Sequence, residues 1–282
     1  MPELPEVQTT VNGLNKKVLG RAFFDVWTDT PKLIKNLSFA QFKEKIIGKK
    51  INKVFRRGKN IIFELSDGFY LLTHLKMTGH YLYDNCLPAG RQGQDDPFNK
   101  YIRVKFILDN KKVLALSDLR KFVKIILFES KEDLDKELSL LGPEPLEKDF
   151  TFDKFKERFK NKRGPIKKVL HEQEIMVGVG NIYSDEILWK TKINPFRKID
   201  GLTEKELKDI YKATRVILEE AIKLGGTSTS DYRNIKGERG GYGNILRAYG
   251  REGQKCSRCQ TKIERKKLAG RSAHFCPTCQ KV

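Results

Sequence analysis

Four of the five cysteines stand in two pairs near the end of the chain, and their spacing constrains the fold more than any other feature. Cys256-x2-Cys259 and Cys276-x2-Cys279 are separated by 16 residues. Two such pairs can present four thiolates tetrahedrally, as in a four-cysteine zinc ribbon. A segment this short cannot bury a core of its own, so a metal is needed to fold it. We therefore predict one structural Zn²⁺, with no coordination position open for water.

The charge of the chain limits its possible partners. Lys and Arg number 56 against 36 Asp and Glu, which gives a net charge of +20 over 282 residues. Such a field attracts a polyanion, so DNA or RNA is the first expectation, with an anionic membrane or the ribosome as alternatives. The stretch between the cysteine pairs is itself basic, and as a hairpin it would present Lys266, Lys267 and Arg271 to phosphates.

The N-terminal sequence MPELPEVQTT has neither the basic start nor the apolar run of a signal peptide. No stretch approaches the roughly 20 apolar residues that span a bilayer. We therefore expect a cytoplasmic protein of bacterial type, associated with the nucleoid, with reduced thiols and no membrane partner. No oligomerisation stripe is visible, so a monomer is expected.

Hydrophobic periodicity divides the rest of the chain into a β-rich part and a helical part. Apolar residues from Leu4 to Val18 recur at helical spacing, which predicts a helix beginning almost at residue 2. Short β-like runs then indicate an antiparallel sandwich or barrel; they lie at 22–27, 51–56, 60–65, 69–75, 101–108 and 122–128. Residues 86–98, which include the fifth cysteine, Cys86, are expected to form a long surface loop. After a junction at LGPEP, helical patterns occupy 151–160, 165–173, 181–190 and 203–224.

Two short motifs are candidates for chemistry, each with a plain structural alternative. Removal of Met1 would free the Pro2 amine, and a neutral amine can attack a sugar C1′ while Glu3 moves protons; a Pro-Glu start is otherwise a helix cap. The turn Gly178–Asn181 precedes a helix and favours phosphate binding, with Asn181 as N-cap; a plain capped helix is the alternative.

Three further segments are candidates for contacts with nucleic acid. Lys59 lies in the basic turn RRGK between two predicted strands, where it could contact phosphate. His74 and Met77 end a strand in HLKMTGHY, where methionine is by default a core or turn residue. Arg120 and Phe122, in DLRKF, either start a strand or act, if exposed, as a wedge in the base stack.

Together these segments resemble the formamidopyrimidine-DNA glycosylase family. The resemblance covers nearly the whole chain in the family's order, through MPELPEV, RRGKNIIFEL, HLKMTGH, DLRKF, LGPEPL, VGVGNIYSDEIL, GGTSTSDY, AYGREGQKC and RSAHFCPTC. The related endonuclease VIII branch usually has Gly in place of Leu4, so Leu4 and HLKMTG favour the oxidised-purine branch. The resemblance implies an α+β chain with an antiparallel β-sandwich domain at 1–137, a helix-two-turns-helix domain with a lesion loop at 138–250, and a zinc finger at 251–282.

The resemblance also implies individual roles. Catalysis would fall to Pro2 as nucleophile, Glu3 as proton donor, Lys59 in β-elimination and Arg271 in δ-elimination. Met77, Arg120 and Phe122 would fill the space left by a flipped nucleotide, and further DNA contacts would come from His74, Tyr101, Lys162 and Asn181. Tyr101 stands where the family often has a histidine and can still donate one hydrogen bond.

We therefore expect a bifunctional DNA glycosylase and AP lyase of base excision repair that acts on damaged double-stranded DNA. It would excise 8-oxoguanine and formamidopyrimidines and cleave the strand by β,δ-elimination. Two alternatives remain open: a non-catalytic zinc-ribbon protein that binds DNA on the same scaffold, and an oxidised-pyrimidine glycosylase.

Overall fold

The computed structural model describes residues 1–84, 96–229 and 231–281, and the chain divides into two compact units. Unit 1 comprises Met1–Ser139 and Gly225–Gly241, and unit 2 comprises Leu140–Leu224 and Tyr242–Val282. The expected loop at 86–98, with Cys86, lies outside the described residues apart from 96–98. None of the helices in those ranges combines the length and the hydropathy that a membrane span requires.

Unit 1 is built, in its described part, on two four-stranded antiparallel sheets. The first has the order β1–β6–β7–β5, with strands Phe23–Thr28 (β1), Ile102–Leu108 (β6), Val113–Ser117 (β7) and His80–Tyr83 (β5). The second has the order β2–β3–β4–β8, with strands Ile51–Arg57 (β2), Asn60–Leu65 (β3), Tyr70–His74 (β4) and Lys124–Phe128 (β8). The predicted α+β class with an N-terminal antiparallel β-sandwich is confirmed.

The two sheets share one hydrophobic core. Phe63 of β3 meets Tyr81 of β5 with ring centroids 5.9 Å apart, an edge-to-face contact that joins the sheets. Helix α1 (Leu4–Asn15) adds its apolar face to the same core, as its spacing predicts. The helix begins at Leu4, close to the predicted start, because Glu3 has an extended backbone (φ −105°, ψ −169°) and serves as N-cap.

Sequence patterns do not reveal the strands β5 and β7 or two helices of unit 1. All four residues of β5 are buried, so the alternation that marks a strand with one exposed face is absent. Helices α2 (Phe39–Ile46) and α3 (Lys131–Leu138) have eight residues each, which is barely two turns of periodicity. Tertiary contacts therefore define these elements more than their own patterns do.

Unit 2 combines four helices with a β-hairpin among its described residues. The helices are α4 (Phe152–Phe159), α5 (Ile166–Leu170), α6 (Asn181–Thr191) and α7 (Glu204–Lys223), and the hairpin strands are β9 (Glu264–Leu268) and β10 (Arg271–Phe275). The helical pattern at 165–173 corresponds to a shorter helix, α5, which spans five residues. Helix α6 is buried from Ile182 to Trp189, including two carboxylates, so it stands at the centre of the unit.

Candidate functional site

The N terminus is enclosed within unit 1. Pro2 and Glu3 are both buried, and Glu3 is only 2% exposed. The Glu6 carboxylate accepts hydrogen bonds from the backbone N–H of Glu3 (2.7 Å) and from the backbone N–H of Thr227 (2.7 Å). One buried side chain thus ties the start of α1 to the segment 225–241.

Sequence reasoning missed Glu6. The available signal was its spacing, because a Glu three residues after the N-cap can return to the N-cap backbone, as in a capping box. Its second contact depends on the tertiary structure. Gly226 has φ +79°, and a Cβ there would lie 2.8 Å from Glu6 Oε1, so glycine allows this close approach.

Lys59 occupies the two-residue turn between β2 and β3, yet it is 8% exposed. His74 lies nearby, because it pairs in register with Asn60 at the start of β3. Burial, reinforced by the charges of Lys76, Lys59 and Lys124, lowers the pKa of His74 to about 3. The imidazole is therefore neutral at pH 7, and the lysines carry the positive charge at this edge of the sheet.

Two loops that carry predicted DNA contacts are joined by one aspartate. Met77 and Phe122 are 39% and 51% exposed, and the Arg120 guanidinium lies 4.6 Å from the centroid of the Phe122 ring. The fully buried Asp118 accepts hydrogen bonds from the Phe122 backbone N–H (2.6 Å) and from the hydroxyl of Thr78. The structure thus joins the Met77 loop to the Arg120–Phe122 loop through Asp118, which sequence reasoning missed.

Tyr101 is half-buried immediately before β6. Its carbonyl accepts a hydrogen bond of 2.8 Å from the backbone N–H of Asp118, so it adjoins the same loop. Lys100 and Arg103 place their cationic groups 5.4 and 5.9 Å from the centroid of the Tyr101 ring. Whether its hydroxyl contacts DNA stays a prediction.

In unit 2, Asn181 is the first residue of α6, and the N-cap is Gly180. The prediction that Asn181 is the N-cap was wrong, because the backbone leaves helical geometry one residue earlier (φ −140°, ψ −147° at Gly180). In the described part of the chain, the Asn181 side-chain oxygen is buried without a hydrogen-bond partner. Such an atom is an exception in folded proteins, and it indicates room for a ligand or water at the start of α6.

Lys162 already has partners within unit 2. Its ammonium lies 2.9 Å from a Glu172 carboxylate oxygen and also pairs with Glu174. Hydrogen bonds to Glu174 and then Glu172 raise the pKa of Lys162. Its charge is thus partly compensated before any phosphate binds, and its predicted DNA contact stays a prediction.

Arg271 is exposed at the start of β10, where the hairpin turns. Its Nη1 lies 2.9 Å from Nδ1 of His171. Arg271 and His171 line a cavity of about 310 Å³ together with Lys167 and Lys168. The predicted catalytic arginine therefore faces a basic recess formed with α5.

Two adjacent carboxylates of α6 hold the C-terminal segment in place. Asp185 accepts hydrogen bonds from both the backbone N–H (3.0 Å) and the ring Nδ1 (2.9 Å) of His274, and its other oxygen pairs with Lys167. Glu186 accepts three backbone N–H groups of residues 247–249, each at 2.9 Å. Burial raises the pKa of Glu186 despite these hydrogen bonds.

The four C-terminal cysteines form one cluster whose sulfur atoms all lie within 4.8 Å of one another. Cys259 Sγ is 3.4 Å from both Cys276 Sγ and Cys279 Sγ. With Zn–S bonds of about 2.3 Å, a tetrahedral site has sulfur–sulfur edges of roughly 3.8 Å, so this group fits one Zn²⁺. A four-thiolate site has no open position, and its metal is structural.

A four-thiolate hairpin beside a basic recess, an unpaired polar atom at a helix N-terminus and an enclosed Pro-Glu start occur together in this chain. These features place the chain among zinc-finger proteins with a basic recess and a buried N-terminal segment.

Comparison with known proteins specifies the class further. The models for the formamidopyrimidine-DNA glycosylase N-terminal domain, its H2TH domain and the zinc finger found in FPG and IleRS match residues 1–125, 141–233 and 253–282. A formamidopyrimidine-DNA glycosylase of Pelotomaculum thermopropionicum is 42% identical over 284 residues, covering 100% of both chains. The chain belongs to the formamidopyrimidine-DNA glycosylase family, and the predicted resemblance is confirmed.

Solved structures agree over the full length. The Lactococcus lactis Fpg in complex with an abasic site containing DNA matches with a TM-score of 0.89 and 36% identity, covering 99% of this chain and 100% of that chain. MutM in complex with a carbocyclic 8-oxo-G containing DNA matches with a TM-score of 0.88 and 36% identity, covering 100% of both. The zinc-finger match together with the cysteine cluster confirms one structural zinc.

Proposed function

We propose that this protein excises oxidised purines from duplex DNA and then cleaves the strand at the resulting site. As a family member it is a DNA glycosylase of base excision repair. The substrate class is supported by the name of its relatives and by the 8-oxo-G DNA bound in a similar structure. We further propose that it acts as a monomer in the cytoplasm of a bacterium.

Excision from a duplex requires that the damaged nucleotide leave the base stack, at a cost of a few kcal/mol. Met77 and Phe122 offer exposed apolar groups that can occupy the gap, and Arg120 can hydrogen-bond the orphaned base. Their loops are held by a buried aspartate, so little conformational entropy is lost when they insert. This arrangement supports their proposed role as a wedge.

The proposed chemistry begins with the amine of Pro2 once Met1 has been removed. The neutral nitrogen attacks C1′, the bond from C1′ to the base breaks, and the base leaves with the electron pair and takes up a proton. The attached nitrogen gives up its proton and O4′ takes one up as the sugar ring opens, which leaves an iminium between Pro2 and C1′. The iminium acidifies the C2′ proton, and loss of that proton expels the 3′ phosphate. Glu3 donates or accepts these protons, and the cation of Lys59 assists the elimination.

The observation that carries this proposal is the network around Glu6. An N terminus is usually mobile, whereas here the backbone next to Pro2 is held by a buried carboxylate that also holds Thr227. A nucleophile positioned in this way can gain several kcal/mol of transition-state stabilisation over a free one. The stretch from Gly225 to Tyr242, which we propose closes over the damaged base, is tied to the same carboxylate through Thr227.

In unit 2 we propose that Asn181 and Arg271 bind phosphates of the DNA backbone. A helix N-terminus favours anions, and the Asn181 side chain lies there with an amide N–H₂ group that can donate to phosphate oxygens. Arg271 is exposed and presents a guanidinium, which suits a phosphate in two-point contact. The second elimination expels the 5′ phosphate, and we assign it to Arg271 because its exposed guanidinium can bind that phosphate as it leaves.

Borohydride trapping on a duplex carrying 8-oxoguanine opposite cytosine tests the proposal, with the adduct mapped by peptide mass. The wild-type protein should be trapped at Pro2 and should nick the strand. Pro2→Gly should reduce trapping about 100-fold, because its amine is held less firmly, and Glu3→Gln should slow excision roughly 10²–10⁴-fold. Both variants should still bind the duplex.

The exposed Glu44→Gln serves as matched control and should behave as wild type. Full activity of Pro2→Gly or Glu3→Gln would show that the substituted residue does not have the role proposed for it. DNA binding without an adduct, from protein shown by mass to lack Met1, would favour the non-catalytic alternative. An adduct formed only with oxidised pyrimidines would favour the alternative of an oxidised-pyrimidine glycosylase.

A further inference from the structure

The imidazole of His171 lies between two groups that determine its protonation. Arg271 Nη1 is 2.9 Å from Nδ1, and Ser184 Oγ is 2.9 Å from Nε2. A guanidinium has donors and no acceptor, so Nδ1 must accept the hydrogen bond and carry no proton. Nε2 then carries the proton and donates to the hydroxyl of Ser184. The geometry therefore requires the neutral ring in a single tautomer.

Ser184 connects this ring to the rigid part of the unit. It is fully buried in α6, and its hydroxyl lies 3.3 Å from the carbonyl oxygen of Asn181. His171 is half-buried, and its Nε2 is held by the buried hydroxyl of Ser184. The ring therefore loses little conformational entropy when its Nδ1 accepts a hydrogen bond from Arg271. His171 thus offers Arg271 an acceptor whose position is already determined.

The surrounding charges explain why Arg271 needs such an acceptor. The cavity walls near His171 carry these charged groups: Lys167, Lys168, Glu172 and Arg271. Lys167 is compensated by the buried Asp185, and Glu172 is paired with Lys162. Lys168 is exposed in the same recess, and its like charge cannot pair with the guanidinium, whereas the neutral ring of His171 offers the guanidinium an acceptor.

We propose that His171 is a positioning residue for Arg271, which it holds in the orientation that binds a DNA phosphate. One of the five N–H groups of the guanidinium is used by His171, and four remain for the phosphate. This inference rests on the proposed function of Arg271. A protonated His171 could not accept the hydrogen bond and would repel the guanidinium, so the contribution of Arg271 should fall with pH across the range in which imidazoles titrate, roughly pH 5–8.

The test is a set of full-length, zinc-loaded variants binding a duplex with a tetrahydrofuran abasic-site analogue, measured by fluorescence anisotropy from pH 8 to pH 5.5. His171→Leu removes the acceptor and should weaken binding about threefold to tenfold at pH 8, the range expected for one exposed hydrogen bond. His171→Asn keeps an acceptor at the position of Nδ1 without a titrating group. It should bind as wild type at pH 8 and should lose less affinity at pH 5.5.

A double-mutant cycle separates this inference from the proposed function. In an Arg271→Ala background, His171→Leu should have no further effect on binding or on the ratio of δ- to β-elimination products. If Arg271→Ala alone changes neither, the proposed role of Arg271 fails. If Arg271→Ala weakens binding but His171→Leu does not, or still weakens it in the Arg271→Ala background, the positioning role is overturned. Tighter binding by His171→Leu would show that His171 withholds Arg271 from DNA, which also overturns it.

Discussion

Buried carboxylates that accept backbone N–H groups recur at the candidate sites. Glu6 holds the start of α1, Asp118 holds the loop of Arg120 and Phe122, and Glu186 holds residues 247–249. A charged acceptor facing N–H donors gives a strong hydrogen bond, and replacing it leaves buried donors without partners. Residues that carry no reactive group thereby determine where the reactive ones lie.

At this scale, Glu6→Gln should disturb both stability and chemistry. The amide presents an N–H₂ group to one of two backbone N–H donors, so one close contact becomes repulsive. We expect the free energy of unfolding to fall by about 1–3 kcal/mol. The rate of borohydride trapping should also fall, and Glu44→Gln on the exposed face of α2 should change neither. If Glu6→Gln were trapped at the wild-type rate, Glu6 would not be needed to position the N terminus for the reaction.

The histidines of unit 1 predict a pH dependence of stability. Burial is the main cause that lowers the pKa of His80 to about 4, as it lowers the pKa of His74 to about 3. Both rings bind protons more readily in the unfolded chain, near pH 6.5, than in the fold. Their stabilising contribution is therefore complete above pH 6.5 and is lost as the pH falls towards 4.

Urea unfolding of the wild type at pH values from 7.5 to 4.5 should show a loss on the order of 2 kcal/mol from His80 alone. His80→Gln keeps a donor for Asn99, whose side-chain oxygen lies 3.1 Å from the ring Nε2, and it removes the titration. The difference between wild type and His80→Gln should therefore shrink as the pH falls. An unchanged difference would show that His80 does not titrate in this way.

Among the elements, the zinc hairpin is held at its metal site and through the contact of His274 with Asp185. The apolar cluster around the metal consists of Trp189, Ala248, Ile263 and the cysteines themselves. Without zinc, four thiolates or thiols crowd a small space, and β9 and β10 lose the metal that anchors them. The hairpin that carries Arg271 therefore depends on the metal for its conformation.

Cys259→Ser, or removal of zinc by a chelator, should unfold the hairpin and weaken DNA binding. Loss of two or three phosphate contacts corresponds to an affinity reduction of roughly tenfold or more at moderate salt. Zinc content by metal analysis and Trp189 fluorescence report the structural change, and anisotropy reports the affinity. Cys86→Ser is the matched control, since that cysteine belongs to neither of the two Cys-x2-Cys pairs. Unchanged affinity of zinc-free protein would make the finger dispensable for binding.

At the scale of the whole molecule, the net charge of +20 predicts binding that is sensitive to salt. Each phosphate neutralised by the protein releases condensed counterions, so affinity falls linearly on a double-logarithmic plot. Even two neutralised phosphates give about a tenfold loss between 50 and 200 mM salt, and more contacts give a larger one. Anisotropy titrations over this range check the slope, and a flat response would exclude phosphate contacts as the main source of affinity.

The local features of this protein follow from its sequence alone. The cysteine spacing predicted the zinc cluster, because four ligands in two pairs can close only a few geometries. Apolar periodicity predicted α1 and the alternating strands, because a pattern on one face is visible without its partner. The ordered motifs predicted the family, which the matches along the whole chain confirmed.

The contacts between residues that are distant in the sequence depend on the tertiary structure. Glu6 and Thr227 are 221 residues apart, and Asp118 and Thr78 are 40 apart, so no local pattern relates them. The all-buried strand β5 and the carboxylates inside α6 break the patterns that sequence reasoning uses, because their partners come from elsewhere in the chain. The contact of His171 with Arg271 is of the same kind. Neither residue stands out in the sequence, and the fold brings their side chains within hydrogen-bond distance.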